Sequence, residues 1–148
     1  MRTEEERTLQ QEENLLAVVF VEPHKKPVVR KLRNEYEDIS HAVGGLIEHI
    51  YQEDGTILVA NEESKLLGMD GNRRLNDGKS ILAGPFFVVG DDGEVETHLR
   101  FIGRFELPVT ELTEEEIKRY MERFDEIEEI TPEEVAGDMW MTVTTFSW

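Results

Sequence analysis

Five side chains in the stretch from Asn61 to Leu75 have the chemistry to hold an anion: Asn61, Lys65, Asn72, Arg73 and Arg74. Arginine presents a planar fork of donors, and an asparagine amide offers both a donor and an acceptor. Amides and cations converging at the end of an apolar strand can therefore seat a phosphate or a carboxylate. Loops held by a rigid scaffold are where such groups gather. The plainer counterpart is an ordered loop whose asparagines cap turns and whose arginines pair with Asp70 and Asp77. His24, Lys25, Lys26, Arg30, Lys31 and Arg33 form a second basic group that could join the site or touch a nucleic-acid backbone. Glu35, Glu37 and Asp38 offset it nearby, and too few aromatics are interleaved for base stacking.

The opposite charge is far more abundant. The chain has 148 residues, with Asp+Glu 33 against Lys+Arg 16 and a net charge of −17. That balance repels nucleic acid and anionic membrane unless a local patch overrides it, so direct DNA binding and membrane association are not expected. Residues 105–148 hold thirteen acids and three bases. Glu115, Glu122, Asp125, Glu126 and Glu129 lie on or just after one predicted helix. Carboxylates three or four positions apart on a helix sit about 5–6 Å from one another. A surface built on that spacing could imitate a row of phosphates and bind a host nuclease, whereas the ordinary reading of such a run is a solubilising helix face.

Catalytic signatures are missing from the sequence. There is no cysteine, which removes disulfides, thiolate metal sites and cysteine nucleophiles. The histidines at 24, 41, 49 and 98 have no metal-ligand spacing, and Asp91-Asp92-Gly93-Glu94 is too short for a calcium loop. No serine stands in Gly-x-Ser-x-Gly, and no phosphate-binding or dinucleotide glycine pattern occurs. No catalytic residue, metal or cofactor is assigned. A nucleotide-directed enzyme would need Asn61, Arg73 and a carboxylate such as Glu48 to converge in a closed pocket.

The elements that must position these groups follow from the apolar pattern. Leu15 to Val21 is a continuous apolar, β-branched run, the mark of a central strand buried on both faces. Leu32, Tyr36, Ile39 and Val43 fall at helical spacing from Lys31 onward, with a stop at Gly44-Gly45. Leu46 to Tyr51 and Thr56 to Ala60 flank Asp54-Gly55, a hairpin signal. Asn61 to Asp77 reads as a long polar loop. Ile81 to Val89 reads as a strand, and Gly84-Pro85 inside it suits an edge or a bulge. Asp91-Asp92-Gly93 predicts a turn, and His98 to Leu107 a strand or irregular connection.

Thr113-Glu114-Glu115-Glu116 predicts a capping box, followed by a helix with Ile117, Tyr120, Met121 and Phe124 on one face. Thr131-Pro132 predicts a second helix start. The expected class is α+β: a small mixed or antiparallel sheet packed against two or three helices. Residues 1–14 are expected to form a flexible acidic arm, 15–124 a single α+β domain, and 125–148 an acidic helix start with an aromatic strand or tail. That tail, carrying Trp140, Phe146 and Trp148, could pair with a second copy and make a homo-oligomer. No targeting signal is visible and the longest early apolar run has seven residues, so a cytoplasmic location is expected.

Five blocks carry a family resemblance: Val21-Glu22-Pro23, Gly44-Gly45-Leu46-Ile47-Glu48, Asn61 to Gly68, Asn72-Arg73-Arg74-Leu75, and Ile81 to Gly90. Together they make roughly residues 15–124 resemble the domain-of-unknown-function 3846 family. Ser64 stands where members often have glycine, and Met69 to Gly71 lacks their proline. The resemblance implies a phage, plasmid or conjugative-element setting in a bacterial host cell and supplies no reaction. The expectation is a non-enzymatic binding protein that counters a host defence system. It would bind a protein partner, a nuclease or defence component, or a small nucleotide-like anion through the Asn61–Leu75 loop. The alternatives are an acidic DNA mimic acting through the C-terminal surface and a nucleotide-directed enzyme.

Overall fold

The computed structural model describes residues 15–76, 78–91 and 109–138. The expected N-terminal arm, the segment His98 to Leu107, most of the Asp91-Asp92-Gly93 turn and the aromatic tail lie outside the described residues. The chain runs β1 (Leu15–Val21), β2 (Val28–Arg33), α1 (Tyr36–Val43), β3 (Ile47–Tyr51), β4 (Thr56–Asn61), β5 (Gly71–Leu75), β6 (Ser80–Ala83), β7 (Phe86–Asp91), β8 (Val109–Thr110) and α2 (Glu114–Arg123). A last helix, α3, covers 132–138. The expected α+β class holds, and the main sheet is antiparallel throughout.

The main sheet has the order β2-β1-β7-β4-β3, with β8 also on β7. β1 pairs with the first half of β7 and β8 with its last two residues, so two strands share one side of it. Both faces of this sheet are covered. Val18, Phe20, Ile57, Val59, Phe87 and Val89 point to the face under Ile39 and Val43 of α1. Val19, Val21, Leu58, Phe86 and Val88 point to the other, packed on Tyr120 and Phe124 of α2 and Leu75 and Leu82 of the β5–β6 hairpin. A strand buried on both faces cannot alternate polar and apolar residues, which explains the continuous apolar runs of β1, β4 and β7.

Three local expectations hold. Gly44 ends α1 at φ 82 and returns its N–H to the carbonyls of Ser40 and His41. Asp54-Gly55 turns β3 into β4, with Gly55 at φ 81. Thr113 and Glu116 close the capping box of α2.

Three others are corrected. The helix expected from Lys31 begins only at Tyr36, because Val28 to Arg33 pair as an edge strand with β1. Leu32 nonetheless reaches the same core as Ile39 and Val43, so strand and helix geometry together imitate one helical stripe. The loop expected from Asn61 to Asp77 is irregular only as far as Asp70, since 71–75 form β5, paired with β6. The strand expected from Ile81 to Val89 is two strands in two sheets. Gly84, at φ 74, lets the chain leave β6 and enter β7, the middle strand rather than an edge.

Candidate functional site

The five residues expected to seat an anion occupy quite different environments. Asn61, at the end of β4, is buried beneath α1. Its Nδ2 donates to the Val43 carbonyl at 3.1 Å, and its Oδ1 accepts the Glu63 N–H at 2.7 Å. Gly45 gives it room, since a Cβ there would lie 3.0 Å from Asn61 Nδ2. Asn72, buried on β5, donates to the carbonyls of Val21 at 3.0 Å and Gly84 at 2.8 Å, joining the end of β1 to the β6–β7 junction.

Arg73 is 1% exposed and is the largest side chain buried this deeply. Its Nε and NH2 donate to the Phe124 carbonyl at 3.2 and 2.9 Å, and NH2 also donates to the Lys25 carbonyl at 2.7 Å. NH1 donates to the Asn72 carbonyl at 3.0 Å and to its Oδ1 at 2.9 Å. The guanidinium thus gathers the C-terminal end of α2, the β1–β2 turn and its own strand. Burial lowers its pKa, opposed by the charges of Glu128 and Asp125.

Arg74 and Lys65 remain near the surface. Arg74 pairs with Glu128 at 3.2 Å and Glu134 at 2.9 Å, and Lys65 pairs with Asp138. Of the second basic group, Lys26 meets Asp125 at 3.2 Å, and His24 meets Asp70 at 3.0 Å and Glu129 at 3.4 Å. The hydrogen bond to Asp70 raises the His24 pKa, slight burial opposes it, and Glu129 adds to the rise. Residues 125–138 carry seven acids and no base. This acidic segment and the cations of the expected anion loop are therefore partners of each other.

The five acidic positions expected to bind a partner are all exposed. Asp125 and Glu129 make the ion pairs just described. Among the described residues, Glu115, Glu122 and Glu126 have no cation partner. Lys118 and Arg119 interrupt the row on α2, and Arg119 is tied to Asp54 at 2.9 Å.

One polar cluster escaped the sequence reading. Asp54 Oδ2 accepts the Tyr120 hydroxyl at 2.6 Å, Asp54 Oδ1 accepts the Thr56 hydroxyl at 2.6 Å, and the two hydroxyl oxygens lie 2.7 Å apart. Partial burial pushes the Asp54 carboxyl up. The hydrogen bonds from Thr56 and Tyr120, together with Arg119, outweigh it and hold the pKa below its ordinary value. Burial, and then Asp54, push the Tyr120 phenol up. The Arg123 guanidinium lies over the Tyr120 and Phe124 rings at 5.4 and 5.0 Å, beside an open hollow of about 520 Å³. Its polar contact there is with Gln52 Oε1 at 3.4 Å. The Asp-Gly turn and the capping box were each legible, but no spacing reveals that residues 66 positions apart meet.

The convergence needed for nucleotide chemistry is not formed: Asn61 is tied to α1, and Arg73 to α2 and the β1–β2 turn. Glu48, on edge strand β3, has its pKa raised by burial and by Glu62, with Lys65 opposing. Among the described residues, no group of three His, Asp or Glu side chains is placed to hold a metal ion. In the same residues, no helix is long and apolar enough to cross a membrane.

A family model, Domain of unknown function (DUF3846), matches residues 16–125, and the chain belongs to that family. No curated protein and no solved structure matches it.

Proposed function

We propose that this member of the family is a non-catalytic binding protein of a phage or other mobile element, acting in the cytoplasm of the bacterial host. It counters a host defence by covering a basic, nucleic-acid-binding face of a host protein, such as a nuclease, with its own carboxylates. One observation carries this reading: among the described residues Glu115, Glu122 and Glu126 are exposed without a cation partner, whereas Lys26, Lys65, Arg73 and Arg74 all have internal partners. The exposed charge around α2 is on balance negative, and its complement is a positively charged protein surface. Capture of a nucleotide-like anion by the Asn61–Leu75 loop is less favoured, because the donors of Asn61, Asn72 and Arg73 already have acceptors.

The test is capture of host proteins by the purified chain across a salt series, repeated with the triple variant Glu115→Lys, Glu122→Lys, Glu126→Lys. Surface attraction is screened within about 8 Å at physiological salt. Capture of a basic, nucleic-acid-binding protein is expected to weaken steeply with salt and to be lost in the triple variant. Capture indifferent to both perturbations would refute the reading.

A further inference from the structure

The segment after α2 has a second character besides its charge. Ile130 and Val135 are buried against Ala83, Met69 and Ile81, on the side of the β5–β6 hairpin turned away from the main sheet. Gly71 provides the seat: a Cβ there would lie 2.7 Å from two carbon atoms of Ile130 and 3.1 Å from Val135. Around this apolar centre stand the cations Lys26, Lys65 and Arg74 and the imidazole of His24, each facing a carboxylate of residues 125–138. Thr131 and Glu134 form a capping box that starts α3 within the seat. The face thus fits one kind of occupant, an acidic segment with a capped helical turn and two branched apolar anchors.

We propose that this face is a docking surface for an acidic amphipathic helical segment of a partner protein, and that residues 126–138 occupy it as a built-in competitor. Three observations favour exchange over permanent packing. The family match ends at 125, so every residue that forms the face lies within the match and the occupant lies beyond it. Within the segment, the ion pair of Glu129 with His24 joins largely exposed side chains, which water and salt compete for readily. The connection, residues 125–131, is neither helix nor strand and leaves Ile127 exposed. Helix-in-groove recognition uses the same combination of a few apolar anchors and flanking charge. A tethered occupant competes at a high effective concentration, so an external segment binds well only once the internal one is displaced. Of the outward carboxylates of the proposed function, Glu115 and Glu122 lie outside this segment and only Glu126 lies in it, away from the anchors Ile130 and Val135, so peptide binding and partner capture can fail independently.

The probe is a synthetic peptide with the sequence of residues 126–138, titrated into the full-length chain. Ile130→Asp removes the internal anchor but leaves the seat intact, and Val135→Asp does the same at the second anchor. Adding Gly71→Ala to Ile130→Asp blocks the seat with one methyl group, at a position whose backbone tolerates alanine. The single variants are expected to bind the peptide at least tenfold more tightly than the wild type, and the double variant not to bind it. Folded single variants that fail to bind the peptide would overturn the proposal. So would loss of cooperative unfolding in both, because the segment would then be core structure rather than an exchangeable occupant. Equal binding by the wild type and the single variants would overturn the competition.

Discussion

Replacing Arg73 by alanine tests whether the basic pair at the centre of the expected site holds the fold or serves a ligand. The side chain supplies donors to the carbonyls of Phe124, Lys25 and Asn72. A buried acceptor left without a donor costs about 1–3 kcal/mol. The Lys25 carbonyl is reached by water more easily than the other two, and removal of a buried charge returns part of its desolvation cost. The net expectation is a loss of about 3 kcal/mol. For a chain of this size that is a fall in Tm of about 6–12 °C. Arg73→Lys should recover little, since an ammonium cannot reproduce the planar fork. Arg74→Ala is the control: its ion pairs are half-exposed, and each is worth about 1 kcal/mol or less. Urea unfolding followed by circular dichroism gives all three values. If Arg73→Ala lies within about 1 kcal/mol of the wild type, or Arg74→Ala costs as much, the clamp reading fails.

Tyr120→Phe removes a hydroxyl held by Asp54 and Thr56 and should cost about 1–2 kcal/mol. Because the folded Asp54 pKa is depressed, its contribution is full above the ordinary carboxylate range and lost as pH falls through the folded value. The variant should raise the Asp54 pKa and soften that acid loss, and an unchanged carboxyl titration by NMR would contradict the network. His24 has the opposite sign. Its raised pKa gives a contribution that is full below about 6.5 and lost as pH rises through the folded value. Asp70→Asn should bring its imidazole titration back toward the ordinary value, measured by proton NMR. Thr113→Ala should cost about 1 kcal/mol through the lost cap, read from the same urea curves.

What the sequence made legible was local. The Asp54-Gly55 turn, the Gly44 stop and the Thr113 capping box depend on residues within a few positions of one another, and each is found where expected. The two-faced burial of β1 was readable because a strand covered on both sides must be apolar at consecutive positions. Errors arose where tertiary pairing overrode a local pattern. Gly71 to Leu75 reads as loop because Asn72, Arg73 and Arg74 are polar, yet β5 tolerates them by giving the two buried side chains backbone acceptors on other elements. Ile81 to Val89 reads as one strand because nothing local shows that Gly84 hands the chain from one sheet to another. The site residues were singled out for donor capacity, and a sequence does not reveal how much of that capacity the chain itself takes up.

Donor capacity and its use decide what this molecule can present to others. Asn61, Asn72 and Arg73 are groups that an anion site would need, and the folded chain supplies the acceptors itself: carbonyl ends of α1, α2 and β1. Lys26, Lys65 and Arg74 face carboxylates from an acidic segment that lies beyond, or at the last residue of, the family match. Each internal ion pair uses one charge of either sign, so pairing takes up a larger share of the positive charge than of the negative, because acids outnumber bases two to one. Folding sharpens the acidic character instead of averaging it. An approaching basic protein surface meets Glu115, Glu122 and Glu126, none of which is paired with a cation among the described residues. An approaching anion meets a face already filled by the chain's own carboxylates, and that face becomes available only when residues 126–138 leave it.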